Sequence, residues 1–417
     1  MKIPLSKPDI TDLEIDAVNR VLSTPHLSMG PAVTQFEKML SDFLGVKYAV
    51  AVSSGTAALH LAMTALGANE EDEIITSPFS FIASANCILY AGATPRFIDI
   101  DEETYNIDTE KISEFLYREC RTSEKNGHIV HKQTGKQIRF ILPVHIFGNA
   151  CDMASILEDA RQYQLTIVED ACEAIGTDYF GKKVGSIGKA GVFAFYPNKQ
   201  ITTAEGGALV TNDYSLMRHC KSCRNQGRND SNKWLVHERL GYNYRLSDIH
   251  CALGTAQLQR IDEILDKRKR VAERYNQNFN GIEGVQTPYS PDRGEKSWFV
   301  YVIQLSKRYT VDDRDEVMNG LLSKGIACNN YFSPIHLQPF YRRMFGYKKG
   351  DFPTTESASH RCIALPFFND MSEEQVDTVT THVIDELHKI DRRHKIILDK
   401  LKTSCDLGVS SVRLAGL

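Results

Sequence analysis

Lys199 sits in FAFYPNKQITTAEGGALVT, Phe193 to Thr211, among aromatics, small residues and a double glycine. A lysine in so apolar a stretch either snorkels its amine to water or is held in a partly dry pocket. In a dry pocket its pKa falls toward neutrality, and the free amine becomes a nucleophile for an aldehyde. Forming the imine also removes the buried charge. Thr202, Thr203 and the Gly206-Gly207 pair would let this loop bring the amine to a cofactor.

Two other stretches suit the same chemistry. In SSGTAALHL, Ser53 to Leu61, a strand gives way to a helix near Gly55. The first N–H groups of that helix, on Gly55, Thr56 and Ala57, would form a phosphate cradle aided by the helix dipole. The simpler reading is a Ser/Thr cap with no ligand. Asp170 closes the apolar strand LTIVED, at the edge where open α/β sheets bind ligands. A carboxylate there needs a positive partner, and a protonated pyridine nitrogen would serve. A helix cap or a salt bridge to a basic neighbour would serve too. Cradle, acid and lysine in this order make the chemical reading stronger than any one of them does alone.

Such groups need a sheet whose strand ends converge. YAVAVSS, DEIITSP, TPRFIDID, RFILPVHIFG and LTIVEDAC read as strands, alternating with the helices GTAALHLAMTALG, FIASANCILYAG and MASILEDARQYQ. That alternation predicts a mainly parallel sheet covered on both faces, a three-layer αβα domain. ITDLEIDAVNRVLS and VTQFEKMLSDFLG precede it as helices. GVFAFYP and GGALVTN are two further β runs joined by the Lys199 turn, and the polar stretch from Cys223 to Gly241 reads as a loop. One long helical run, LSDIHCALGTAQLQRIDEILDKRKRVAERYNQNF, leads to a smaller α/β domain. This second domain holds the strand WFVYVIQL, the helices RDEVMNGLLSKG and EEQVDTVTTHVIDELHKI, and the proline-bearing SPIHLQPF. We therefore expect a large domain over 1–260, a small one over 261–390, and a helix end with a frayed tail over 391–417.

Composition narrows the function classes. The chain has 417 residues, 42% hydrophobic and 24% charged, with a formal net charge of -4, so it has no bulk attraction to nucleic acid. It shows no signal-peptide core and no apolar run long enough to span a membrane, which points to the cytoplasm. Ten cysteines are sparse and irregular, fitting reduced, buried thiols. Cys220 and Cys223 form the one CxxC pair, with no second pair to complete a zinc site, so no metal is expected.

Together these stretches resemble the fold-type I pyridoxal-phosphate enzymes, and within them the sugar aminotransferases called DegT/DnrJ/EryC1/StrS. The resemblance spans about residues 1 to 385 and runs through LSMGPAVTQFE, SSGTAALHLAMTAL, SPFSFIASANCILYAGATPRFIDID, VEDACEAIGT, YPNKQITTAEGGALVTN, LGYNYRLSDIHCALG, HLQPFY and GDFPTTE, in family order. It implies that Lys199 bonds the aldehyde of pyridoxal 5'-phosphate and shuttles protons, and that Asp170 pairs with the ring nitrogen. Gly55 and Thr56 would hold the phosphate, Phe81 would stack on the ring, and Glu173 would lie near its phenolic oxygen. Asn243 would reach the phosphate of a neighbouring subunit and Arg245 the substrate there, giving a homodimer with shared active sites. Tyr196, Tyr331 and His336 are substrate candidates, although a histidine beside a proline is more often a packed loop residue.

The implied activity moves nitrogen from L-glutamate, or a similar donor, to a nucleotide-linked ketosugar, foremost a 4-keto-6-deoxyhexose for polysaccharide or lipopolysaccharide O-antigen assembly. A 3-keto sugar or a keto-cyclitol is the alternative acceptor, and a cofactor-binding sensor without turnover the alternative class. A sister group that dehydrates sugars has histidine where this chain has Lys199. Three positions depart from the commonest pattern: Ala194 stands for serine, Tyr196 for histidine and Glu173 for glutamine.

Overall fold

The computed structural model describes residues 2–124, 127–229, 236–291 and 294–406, the stretch 399–406 as backbone only. Its main sheet has nine strands, and the seven along its length lie in the order Tyr48–Val52, Gly207–Thr211, Ala190–Ala194, Thr166–Asp170, Gln137–Ile141, Asp72–Thr76 and Thr94–Phe97. Gly207–Thr211 runs antiparallel to both neighbours, and each of the other adjacent pairs is parallel. The reversal follows from the Lys199 segment, which folds back on itself. Phe195 N–H donates to Gly206 O at 2.9 Å and Thr203 N–H to Phe195 O at 2.9 Å, so the chain returns beside the strand it left.

Side-chain alternation builds the two outer layers. Val50 and Val52 pack with Leu59 and Met63 of the helix Gly55–Ala65, while Ala49 and Ala51 pack with Phe36 and Leu40 of Pro31–Leu44. Each such valine or leucine, taken fully out of water, contributes about 1.5–3 kcal/mol. Both faces being covered, the strands read as continuous apolar runs. Because the parallel strands share a direction, Ser53, Ser77, Asp170 and Phe195 collect at one edge of the sheet.

A second sheet, Val285–Gln286, Tyr301–Leu305 and Cys362–Leu365, is antiparallel. The helices Ile261–Phe279, Val311–Ser323 and Glu373–Asp406 enclose it around Tyr275, Tyr301, Val317 and Val379. The N-terminus returns to this core, where Ile3 is buried and bridges Ile326.

Several expectations change. RFILPVHIFG is not one regular strand: the strand ends at Ile141, Pro143 has no N–H to offer, a single bridge from Val144 to Asp170 continues the pairing, and Ile146–Gly148 is a 3-10 turn with Phe147 at φ 54°. The long helical run breaks at Arg260, whose φ of -106° and ψ of 10° separate Asp248–Gln259 from Ile261–Phe279. Its guanidinium there binds Asp9, Glu14 and Glu263 at 3.0–3.1 Å. The C-terminal helix continues through Asp406, so the helix end expected within 391–417 extends far into that stretch, and 407–417 lies outside the described residues. Part of the polar loop, 230–235, lies outside them as well. The helices Thr109–Glu119 and Pro353–Arg361 went unforeseen.

Candidate active site

The strand ends converge on a cavity of about 560 Å³. Gly55, Thr56, Phe81, Asp170, Glu173, Tyr196, Lys199 and Tyr331 line it; Asn243, Arg245 and His336 do not. A cleft of about 650 Å³ around Lys296 is larger, but that amine donates to the backbone oxygen of Tyr289 at 3.1 Å and, among the described residues, forms no ion pair with a carboxylate. Chemistry, rather than size, singles out the first cavity.

Ser54, in extended backbone, caps the helix Gly55–Ala65 and accepts the N–H of Ala57 at 3.1 Å. The cradle is therefore narrower than expected: Ala57 is spent on the cap, which leaves the N–H groups of Gly55 and Thr56 for an anion. Gly55 is needed for a further reason. A Cβ there would stand 2.7 Å from Ala194 Cβ and 2.9 Å from Cys172 Sγ, so the helix can start this close to the neighbouring strands only without one.

Asp170 is buried, and both its oxygens are occupied. Ser84 Oγ donates to Oδ2 at 2.7 Å and the Cys172 N–H donates to Oδ1 at 3.1 Å. Among the described residues no cation lies within ion-pair distance, so the salt-bridge reading of Asp170 falls. Two neutral donors orient the carboxylate but leave its charge uncompensated.

Lys199 is half-buried, its side chain 13% exposed, with Nζ 3.6 Å from Glu173 Oε1 and 4.0 Å above the Phe299 ring centre. The turn that carries it is firmly tied. Its N–H donates to Tyr196 O at 2.9 Å, and Thr202 Oγ1 donates to Phe195 O at 3.0 Å. Gly206 and Gly207 serve close approach here, rather than the flexibility expected of them. A Cβ on Gly207 would lie 2.4 Å from Ser54 C, and one on Gly206 would lie 2.1 Å from Thr203 Oγ1.

Glu173 is buried beside that amine, and the Phe147 N–H donates to its Oε2 at 2.9 Å. Burial pushes its pKa up; the Lys199 charge and the Phe147 bond offset this only in part. Phe147 holds its positive φ in making that bond.

The remaining candidates divide. Phe81 and Tyr196 are exposed at the cavity wall, and the Tyr331 hydroxyl lies against Asn198. Asn243 is exposed, and Arg245 donates to Asn225 Oδ1 at 2.9 Å. Their segment is tied to the strand Tyr48–Val52 through the Ser53 N–H to Tyr244 O bond of 2.9 Å. His336 is buried, with Nε2 3.0 Å from Glu356 Oε1 and its ring edge-on to Phe352, so it packs rather than facing a substrate. Ser84, Phe299, Asn198 and Asn330 were missed. Ser84 carried a faint signal, one helical turn after Ser80 in a stretch already read as helix. Cys220 and Cys223 are buried free thiols, and no metal-holding cluster occurs among the described residues.

Comparison with known proteins fits this geometry. The model of the DegT/DnrJ/EryC1/StrS aminotransferase family matches residues 8–384. The spore coat polysaccharide biosynthesis protein SpsC of Bacillus subtilis is 38% identical, over 92% of this chain and 96% of that protein. GDP-perosamine synthase of Caulobacter vibrioides is 35% identical, over 91% and 96%. Among solved structures, Helicobacter pylori PseC, an aminotransferase of pseudoaminic acid biosynthesis, superimposes with a TM-score of 0.84 at 28% identity, over 93% of this chain and all of that one.

Proposed function

The chain belongs to the DegT/DnrJ/EryC1/StrS aminotransferase family, and on that premise we propose that it carries an amino group from L-glutamate, by way of pyridoxal 5'-phosphate, to a nucleotide-linked 4-keto-6-deoxyhexose for polysaccharide assembly. The observation that carries the reading is the buried, cation-less Asp170 facing the same cavity as the amine of Lys199. The residues present fit the cofactor.

When bound, pyridoxal phosphate supplies an electron-withdrawing ring that takes up nitrogen from one substrate and releases it to another. Asp170, oriented by Ser84 and the Cys172 amide, would pair with a protonated ring nitrogen. Gly55 and Thr56 bind the phosphate at the helix start. Lys199 is the amine that would bond the cofactor's aldehyde and, when free, would serve as the base and acid of the site. Phe81 and Glu173, which line the same cavity, would contact the cofactor's ring and its phenolic oxygen.

The cavity of one chain is short of positive charge. Among the described residues its lining carries Asp170, Glu173 and Glu205 against Lys199, whereas a phosphate and a nucleotide diphosphate are both anionic. Arg245 of a second copy would supply the missing charge and Asn243 a hydrogen-bond donor beside it, in a homodimer with shared sites. Residues 1–260 would then hold the cofactor while 261–390 close over the sugar, Tyr331 among them.

Mixing the protein with pyridoxal phosphate should give a near-visible absorbance band that Lys199→Ala abolishes. L-glutamate should then bleach that band and yield 2-oxoglutarate. A band unchanged by Lys199→Ala refutes the site, and a band that persists with every amino donor favours a sensor.

A further inference from the structure

His60 is buried on the helix Gly55–Ala65, less than two turns past the cradle, yet it does not line the cavity. Its ring sits among three tyrosines, with centroids 5.6 Å from Tyr90, 4.8 Å from Tyr242 and 5.9 Å from Tyr244. One side-chain hydrogen bond serves it: Nδ1 lies 3.1 Å from the Tyr244 hydroxyl, while Nε2 has no partner among the described residues. A buried ring nitrogen left unpaired costs free energy, and a hydrocarbon side chain would fill this place without that penalty. What the imidazole adds is its bond to Tyr244.

Tyr244 lies between Asn243 and Arg245, the two residues assigned above to a second copy's site. The segment is extended, since Asn243 bridges Asn225 and Arg245 bridges Val52, both antiparallel. Successive side chains of an extended segment leave from opposite sides. Tyr242 and Tyr244 therefore share one side, where their rings stack at 5.0 Å and 12° and meet His60. Asn243 and Arg245 share the other. Main-chain bonds from the Ser53 N–H to Tyr244 O and from the Tyr244 N–H to Arg224 O, both 2.9 Å, hold the backbone. The side-chain bond to His60 fixes the tyrosine face, and with it the direction in which the polar pair leaves.

We propose that His60 is a positioning residue for the neighbouring subunit's site: through Tyr244 and Tyr242 it holds the segment that presents Asn243 and Arg245 to that subunit. This rests on the shared-site reading above. It gives the helix Gly55–Ala65 two tasks, its start binding the phosphate of its own site and its His60 serving the other one.

The test asks on which site the loss falls. The readout is the rate at which limiting L-glutamate bleaches the near-visible band of protein loaded with pyridoxal phosphate. His60→Leu should slow it about tenfold, Tyr244→Phe equally, and the double variant no further, since the two side chains act through one bond. His60→Asn, which keeps a hydrogen-bonding atom near the place of Nδ1, should recover most of the rate. Refolded as an equal mixture with Lys199→Ala, His60→Leu should show about half of its band bleaching at the wild-type rate, because half of its chains then pair with an intact segment. If His60 acted only on its own helix, every lysine-bearing site would stay slow and the proposal would fall, as it would if His60→Leu matched wild type. Should His60→Leu not fold, Tyr244→Phe takes its place in the mixture. Lys199→Ala refolded with Arg245→Ala separates the failures. Recovery there with none here overturns the role of His60 alone; recovery in neither, or a wild-type band that L-glutamate leaves unchanged, overturns the underlying reading and this role together.

Discussion

Glu173 shows how one carboxyl can set a pH dependence. Its folded-state pKa is raised by burial above the ordinary value of 4.5, although Lys199 and the Phe147 amide pull against the shift. The folded protein therefore holds this proton to higher pH than the unfolded chain does. The stability it contributes is complete below the ordinary value and is lost as pH rises through the raised one, each unit of displacement being worth about 1.4 kcal/mol. Glutamine has no such loss. In the cofactor-free protein, Glu173→Gln should match wild type in thermal unfolding near pH 4 and become progressively more stable than it toward pH 8; a difference that stayed flat across that range would show that Glu173 keeps its ordinary titration. At this scale the sequence exposed the groups that carry the chemistry, since an amine among aromatics and an acid ending an apolar strand are conspicuous. It did not expose their supports. Ser84 beneath Asp170 and Phe299 beneath the Lys199 amine lie far away in the chain, and nothing local in either stretch announces the group it will meet.

Elements were legible where periodicity was strong. The alternating strands and helices of the main sheet follow from apolar runs bounded by turn residues, and so does the edge at which their ends meet. Pro353–Arg361 was harder to see, being poor in apolar residues, whereas Thr109–Glu119 did carry a signal, the Asp108 cap followed by Ile112, Phe115 and Leu116 on one face. The breaks also escaped notice: Arg260 is a good helix former by type and ends a helix here because its guanidinium is drawn to Asp9, Glu14 and Glu263. The helix Gly55–Ala65 makes the sharpest test at this scale. Its first residue fits against Ala194 and Cys172 with no room for a methyl group. Gly55→Ala should displace the helix start, cost about 1–3 kcal/mol of stability by overpacking, and weaken binding of inorganic phosphate and of pyridoxal phosphate together. Ser54→Ala, which removes only the cap, should cost about 1 kcal/mol. Unaltered phosphate binding in Gly55→Ala, measured by calorimetry on folded protein, would refute the cradle.

The whole molecule raises a question of assembly, because three carboxylates against one lysine make a poor receptacle for two anionic ligands. Arg245 is held near this site but not in it. Its backbone bridges Val52 at the end of the strand that leads into the cradle, and its guanidinium leans on Asn225. Exposed Asn243 lies two residues earlier on the same segment, which bridges to Asn225 and Val52, and neither polar side chain belongs to the lining of its own cavity. If each such segment completes the neighbour's site, damage to the segment and damage to the lysine fall on different sites of a mixed dimer. Lys199→Ala and Arg245→Ala homodimers should each be nearly inactive. Unfolded together and refolded as an equal mixture, they should recover about one quarter of wild-type activity, since half the dimers are mixed and one of their two sites is intact. If Arg245 instead served its own chain, every mixed dimer would hold one site lacking the lysine and one lacking the arginine, and mixing would restore nothing. Sedimentation on the same samples separates that outcome from a failure to pair.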